Sequence, residues 1–222
     1  MLENAMDSLS ESIEYYKSGV KYKDERCFKY CILLLAQSAE LCLKEVLSRE
    51  HDVLIYENID ESKEKEDRIT INFKMALNRV KNICNINLGA YSTYIENLVK
   101  YRNKIQHYKC EVSFENCQSL LTSSFSAIEH IVINILEQNF NEFDEIISHD
   151  DIEYLRKDTL ALAQRKKDIS KEINENNLRR VAFEYRKEKY IYIPCPHSQK
   201  HTWSTVLEMK SCAKCVELGF II

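Results

Sequence analysis

Tyr101-Arg102-Asn103-Lys104-Ile105-Gln106-His107-Tyr108 closes a segment, Leu88 to Tyr108, from which the class of the whole chain can be argued. Within it Tyr91, Tyr94, Leu98, Tyr101, Ile105 and Tyr108 step by three or four, the spacing of one buried face of an α-helix. That face is expected to join a core. At about 100° per residue, Asn103 and His107 stack one turn apart on nearly the opposite side, and Arg102 falls at the edge of the apolar stripe. His107 therefore points outward. A polar trio on the outer face of a packed helix suits a site shared with a ligand or a second subunit better than a buried structural role.

The same periodicity recurs on both sides. Leu2, Met6, Leu9, Ile13 and Tyr16 predict a first helix from Leu2 to about Ser18, with Lys17-Ser18-Gly19 as its C-cap. Asp24 to His51 predicts a longer helix through Phe28, Cys31, Leu34, Leu35, Leu41, Cys42 and Val46. Gln37, Glu40, Lys44 and Ser48 form its polar stripe, read as a solvated face, in which the i,i+4 pair of Glu40 and Lys44 contributes only a few tenths of a kcal/mol. Glu57 to Asp67 is a charge run without apolar periodicity at its end, expected to be a loop or a short excursion. Asn72 to Asn82 predicts a short helix carrying Phe73, Leu77 and Val80. Ser113 reads as the N-cap of a long amphipathic helix from Cys117 through Leu120, Phe125, Ile128, Val132 and Leu136 to Phe140. His130, inside that helix, reads as a satisfied core or interface histidine. Four or five helices with short connections make an antiparallel bundle.

Composition agrees. In 222 residues, 45% of them hydrophobic, there is material for one real core and a small appendage. Three glycines and two prolines, Pro194 and Pro196, leave everything before Pro194 without the punctuation of hairpins or long loops. No apolar run approaches the ~20 residues that span a bilayer, and Met1-Leu2-Glu3-Asn4 lacks the layout of a signal peptide. No membrane partner and a cytoplasmic location are expected. Of nine cysteines, six (Cys27, Cys31, Cys42, Cys84, Cys110 and Cys117) sit in helix-patterned, apolar surroundings and read as small buried hydrophobes rather than a disulfide framework. Cys27 and Cys31, one turn apart, are the weaker alternative of a redox pair. Residues 1–154 carry 17 basic against 27 acidic side chains, and residues 155–222 carry 14 against 8, so the basic part is the tail. That permits nucleic-acid contact there, or simply a solvated charged helix.

The chain divides by pattern into a helical bundle at 1–148, a charged helical arm at 149–189 with sparse apolar points, and a small module at 190–222. Tyr190-Ile191-Tyr192-Ile193 predicts a strand, and Cys212-Ala213-Lys214-Cys215 before Gly219-Phe220-Ile221-Ile222 has the shape of a zinc knuckle. A module this small needs a staple. Ser198 stands where the common ribbon has its second cysteine, so the ligand set becomes Cys195, Cys212, Cys215 and either His197 or His201. Four protein ligands leave no open position, which makes the Zn²⁺ structural.

Arginine, a polar residue directly after it, and a histidine five places on, near a helix end, resemble the R-x(4-6)-H signature of HEPN domains. Lys29 to Leu35 and Glu40 to Leu47 resemble the second helix of that family, and Ile71 to Leu77 the segment before its motif helix; the resemblance covers about Leu2 to Glu145. It implies a mainly α fold, an antiparallel HEPN-like bundle with the zinc-ribbon-like module appended, and a homodimer whose motif helices face each other across a cleft. It further implies a metal-independent ribonuclease of the toxin-antitoxin or phage-defence kind. Arg102, Asn103 and His107 would be catalytic, Lys104, Tyr108 and Glu40 substrate-binding, RNA (including transfer RNA) the substrate, and an antitoxin or defence protein a further partner. Family toxins modified on tyrosine carry R-x4-H-x-Y; here Tyr108 directly follows His107 and Lys109 holds the tyrosine's place, which puts that regulation in doubt.

The chemistry fits those residue types. RNA cleavage by its own 2′-hydroxyl needs a base, a cation for the phosphorane and an acid for the 5′-oxygen. His107 can be base or acid, Arg102 can hold two phosphate oxygens with its planar fork, and Asn103 can orient the imidazole or bind phosphate. Two alternatives remain: a non-catalytic HEPN-like protein that binds RNA, nucleotide or a partner through Arg102 and His107, and a purely structural Arg102 with a merely exposed His107.

Overall fold

The computed structural model describes residues 1–60, 67–108, 110–175, 190–194 and 201–205. Six helices follow one another among them: α1 Leu2–Tyr22, α2 Glu25–Glu50, α3 Phe73–Asn82, α4 Ala90–His107, α5 Phe114–His130 and α6 His149–Glu175. The first compact unit is Met1–Thr159. Its axis is α2, which packs against α1, α3, α4 and α5. Phe28, Ile32, Leu35, Cys42, Leu43 and Leu47 are among the α2 side chains buried by those neighbours, the pattern of a central helix apolar on most of its circumference. Each fully buried side chain of this size contributes about 1.5–3 kcal/mol, so a helix with so many anchors holds the others in place.

Local chemistry sets the helix starts. Asp24 accepts from the Arg26 N–H, Asn72 from Met75 N–H and Ser113 from Asn116 N–H, each satisfying a donor the helix cannot. The Ser113 cap is as the sequence predicts. Gly19 is not: α1 runs on to Tyr22 and ends in a left-handed Lys23 (φ 53°) whose N–H caps Gly19 C=O. Gly19 instead lies against the Phe28 ring, where a Cβ fits only if the ring moves. The long helix predicted to reach Phe140 ends at His130, passes into a π turn at Ile131–Ile135, and Phe140 belongs to a separate 3-10 turn, Phe140–Phe143. Lys44 is no part of a solvated face. It is 7% exposed, 2.8 Å from Glu40 and donating to Thr70 Oγ1 at 3.1 Å.

Between α2 and α3, a 3-10 turn at Asp52–Ile55 leads to a single antiparallel bridge, Tyr56 with Thr70, that closes the base of the charged segment; residues 61–66 lie outside the described part. The beginning of α6 joins the bundle: Ile152 and Leu155 are buried, Lys17 pairs with Asp151 at 2.6 Å and Arg156 with Glu129 at 2.7 Å. Of the six bundle cysteines, Cys31, Cys42 and Cys117 are buried, whereas Cys27, Cys84 and Cys110 are only half-buried. Cys31 meets the Cys117 thiol rather than Cys27, and that contact together with burial keeps it protonated. Burial and the Asp24 carboxylate also push the Cys27 thiol up, so neither member of the supposed redox pair is activated.

In the second unit, Leu160–Ile222, a two-stranded antiparallel sheet pairs β1 Tyr190–Pro194 with β2 His201–Thr205, in a register that sets Tyr192 opposite Trp203 and Pro194 opposite His201. The strand predicted at Tyr190–Ile193 is therefore present. None of the described helices is long and apolar enough to cross a membrane.

Candidate functional site

Helix α4 packs against α2 and α5 and buries few of its side chains. Only Ile95 and Leu98 are buried, with Tyr91, Tyr94, Tyr101 and Ile105 half-buried around them. Tyrosine hydroxyls keep to the wet rim of a core, so the stripe read from the sequence is a border, with Ile95 inside it. Its last member was misplaced. Tyr108 follows the final turn of α4 as an extended residue, 75% exposed.

The polar face stands outward as expected. Asn103, Lys104, Gln106 and His107 are exposed and Arg102 is half-buried. Arg102 Nη1 donates to Asn103 Oδ1 at 3.0 Å, which fixes the guanidinium on its own helix. Asn103 thus serves Arg102, and no hydrogen bond joins it to His107 among the described residues. Lys104 Nζ sits 5.2 Å from the Tyr101 ring centre, a cation-π contact within one helix. His130, at the end of α5, is satisfied as predicted: its ring stacks on Tyr91 at 4.4 Å and shares a 3.0 Å hydrogen bond with Asn134.

A groove of about 630 Å³ opens between α1, α2 and α4. Arg102 and Gln106 line it from α4, and Glu40 and Gln37 from α2. The fold therefore brings Glu40 and Arg102, named separately from sequence, to one cavity. His107 is not among the lining residues; five residues from Arg102, it is turned about 140° around the helix. Tyr15 and Tyr30, also in the lining, escaped the sequence reading. A trace of them was there: Tyr30, Leu33, Gln37 and Glu40 recur at helical spacing, so the polar stripe of α2 continues into an aromatic and apolar end.

Cys195, His197, Cys212 and Cys215 lie outside the described residues, and His201 is described only through its place in β2. Among the described residues no group of three or more His, Cys, Asp or Glu side chains could hold a metal ion. No family model, no curated protein and no solved structure matches the chain.

Proposed function

We propose that the chain is a metal-independent endoribonuclease of HEPN type, acting as a toxin or phage-defence effector on RNA in a cleft between two copies. The observation that carries this reading is the outward placement of the Arg102–Asn103 pair and of His107 at the exposed end of a lightly anchored helix. Cleavage needs those groups on a surface that substrate can reach. In the reaction the 2′-oxygen bonds to phosphorus as the bond to the 5′-oxygen breaks; one group takes the 2′ proton and another protonates the departing oxygen. His107 supplies one of these roles, and Arg102, oriented by Asn103, holds the phosphorane oxygens. Lys104, Tyr108 and Glu40 are the nearby substrate contacts.

Because Arg102 and His107 diverge around the helix, a single copy does not converge them on one phosphate. A homodimer with the two α4 helices adjacent supplies the missing half, and light scattering should return about twice the 26.2 kDa chain mass. The deciding experiment incubates the full chain with total RNA and transfer RNA in EDTA. Wild type is expected to release 2′,3′-cyclic phosphate and 5′-hydroxyl ends, and Arg102→Ala or His107→Ala to be slower by roughly 10²-fold or more with the fold intact. Growth inhibition on expression should vanish in parallel.

One observation favours a second reading, a binding module without catalysis: Arg102 faces a groove that His107 does not line. RNA bound but uncut, with binding weakened by Arg102→Ala and indifferent to His107→Ala, would establish it. For the tail, the pairing of Pro194 with His201 sets this histidine beside the residue preceding Cys195, which supports His201 as the fourth ligand of a structural zinc with Cys195, Cys212 and Cys215.

A further inference from the structure

The groove between α1, α2 and α4 has walls of different chemistry. Helix α1 contributes Glu11 and Tyr15, one turn apart on the same face. From α2 come Tyr30 and the half-buried floor of Leu33, Leu34 and Leu41, and from α4 the cation, Arg102, with Gln106. Tyr15 and Tyr30 lie against each other, ring centres 5.3 Å apart and tilted by 36°, yet Tyr30 is still 53% exposed. Tyr30 is thus braced by its neighbour while about half of it stays exposed to solvent. At about 630 Å³ the space is in the range of small-ligand sites, which are apolar clefts with a few convergent polar groups.

Those polar groups are uncommitted to different degrees. Glu40 is paired with Lys44 at 2.8 Å. Glu11, Gln37 and Gln106 have no hydrogen-bond or ion-pair partner among the described residues, and Arg102 has only its Asn103 bond. The groove therefore offers an aromatic face, one unpaired carboxylate, two free amides and a guanidinium with most of its five donors unspent.

We infer that this groove seats a guanine base of single-stranded RNA, stacked on Tyr30, with Glu11 reading its Watson–Crick edge and Arg102 on the adjoining phosphate. The inference deepens the ribonuclease reading and rests on it for the ligand being RNA. Stacking on aromatic rings is how splayed single-stranded bases are held, and it is tolerant of sequence. Selection must then come from the edge. A carboxylate only accepts, and it accepts best from two donors side by side. Guanine alone presents them, as N1–H and the exocyclic N2–H. Adenine and cytosine set their amino group beside an acceptor nitrogen, and uracil sets its single N–H between two carbonyls. Arg102, on a different helix from Glu11, is free to take the phosphate.

The test uses the full chain carrying His107→Ala, so that nothing is turned over. In calorimetric titrations, 3′-GMP should bind at least about tenfold more tightly than 3′-AMP, 3′-CMP or 3′-UMP. Glu11→Gln should remove that preference. Tyr30→Leu should weaken all four nucleotides together, by about fivefold or more, while circular dichroism shows the fold unchanged, since Tyr30 is half open to solvent. Cut sites of the His107-containing chain should lie beside guanines, and Glu11→Gln should cut without base preference. A guanine preference that survives Glu11→Gln overturns the inference, as does absence of 3′-GMP binding. So does a dimer that Tyr30→Arg splits into monomers, which would show the groove filled by a second copy. The two readings fail separately: guanine binding sensitive to Glu11→Gln without any RNA cleavage sinks the nuclease and keeps the groove, whereas cleavage indifferent to base and to Glu11 does the reverse.

Discussion

Gly19 is where a single methyl group puts the packing argument at risk. It lies inside α1, three residues before the end of the helix, and a Cβ there would stand 2.5 Å from Cε1 and 2.7 Å from Cδ1 of Phe28. Carbon atoms in contact prefer 3.5–4.0 Å, so the ring must retreat by about 1 Å. It has little room, being buried and flanked by Tyr16 at 6.3 Å and Phe114 at 6.1 Å between ring centres. Overpacking of this kind costs about 1–3 kcal/mol, against a gain of at most about 1 kcal/mol from replacing a helical glycine by alanine. The net expectation for Gly19→Ala is a loss of about 1 kcal/mol, read as a lower urea midpoint by far-UV circular dichroism. In a Phe28→Leu background the obstacle is removed, and the same substitution should become neutral or stabilising. Gly19→Ala that stabilises the unaltered chain would refute the close approach and return Gly19 to an ordinary surface position.

Two further outcomes follow from the thiols. Burial, and after it the Glu45 carboxylate, push the Cys42 thiol up to about 12. The fold holds the neutral form, so this contribution is whole below the unfolded thiol value of about 8.5 and is lost as pH climbs above it; urea midpoints should fall on the alkaline side, and Cys42→Ala should flatten that fall. In the tail, elemental analysis of untagged protein should find one zinc per chain, lost in Cys212→Ser and His201→Ala but retained in His197→Ala. Full zinc in Cys212→Ser would end the assignment.

What could be read from the sequence was local. The Ser113 cap is a bond between neighbours in the chain, and the period of α2 survives because its burial runs along one continuous segment. What could not be read depends on partners far away. Gly19 looks like a terminator until Phe28 is seen to need its space, and Lys44 looks solvated until Thr70, brought back by the Tyr56 bridge, closes over it. The end of α5 was hidden for a different reason. Ile131, Val132, Ile135 and Leu136 keep helical spacing while the hydrogen bonding lengthens, Leu136 N–H reaching Ile131 C=O at 2.9 Å. Apolar period reports which face is buried, and a π turn alters the bonding without at once altering the face.

At the candidate site the same limit takes a sharper form, because the spacing that turned His107 outward also turned it away from Arg102. On one helix these two groups serve one phosphate only if a second copy completes the arrangement, and that has an arithmetic consequence. Let Arg102→Ala chains be mixed with His107→Ala chains under conditions that exchange subunits. In a two-fold symmetric dimer whose sites each take Arg102 from one copy and His107 from the other, a mixed dimer has one site with both residues intact and one with neither. Random pairing makes half of the dimers mixed, so activity should recover to about a quarter of wild type although each variant alone is nearly inactive. If both residues act within one chain, no mixture contains an intact site and recovery is nil. Recovery near zero, with subunit exchange verified by mass-labelled chains, would refute the shared cleft.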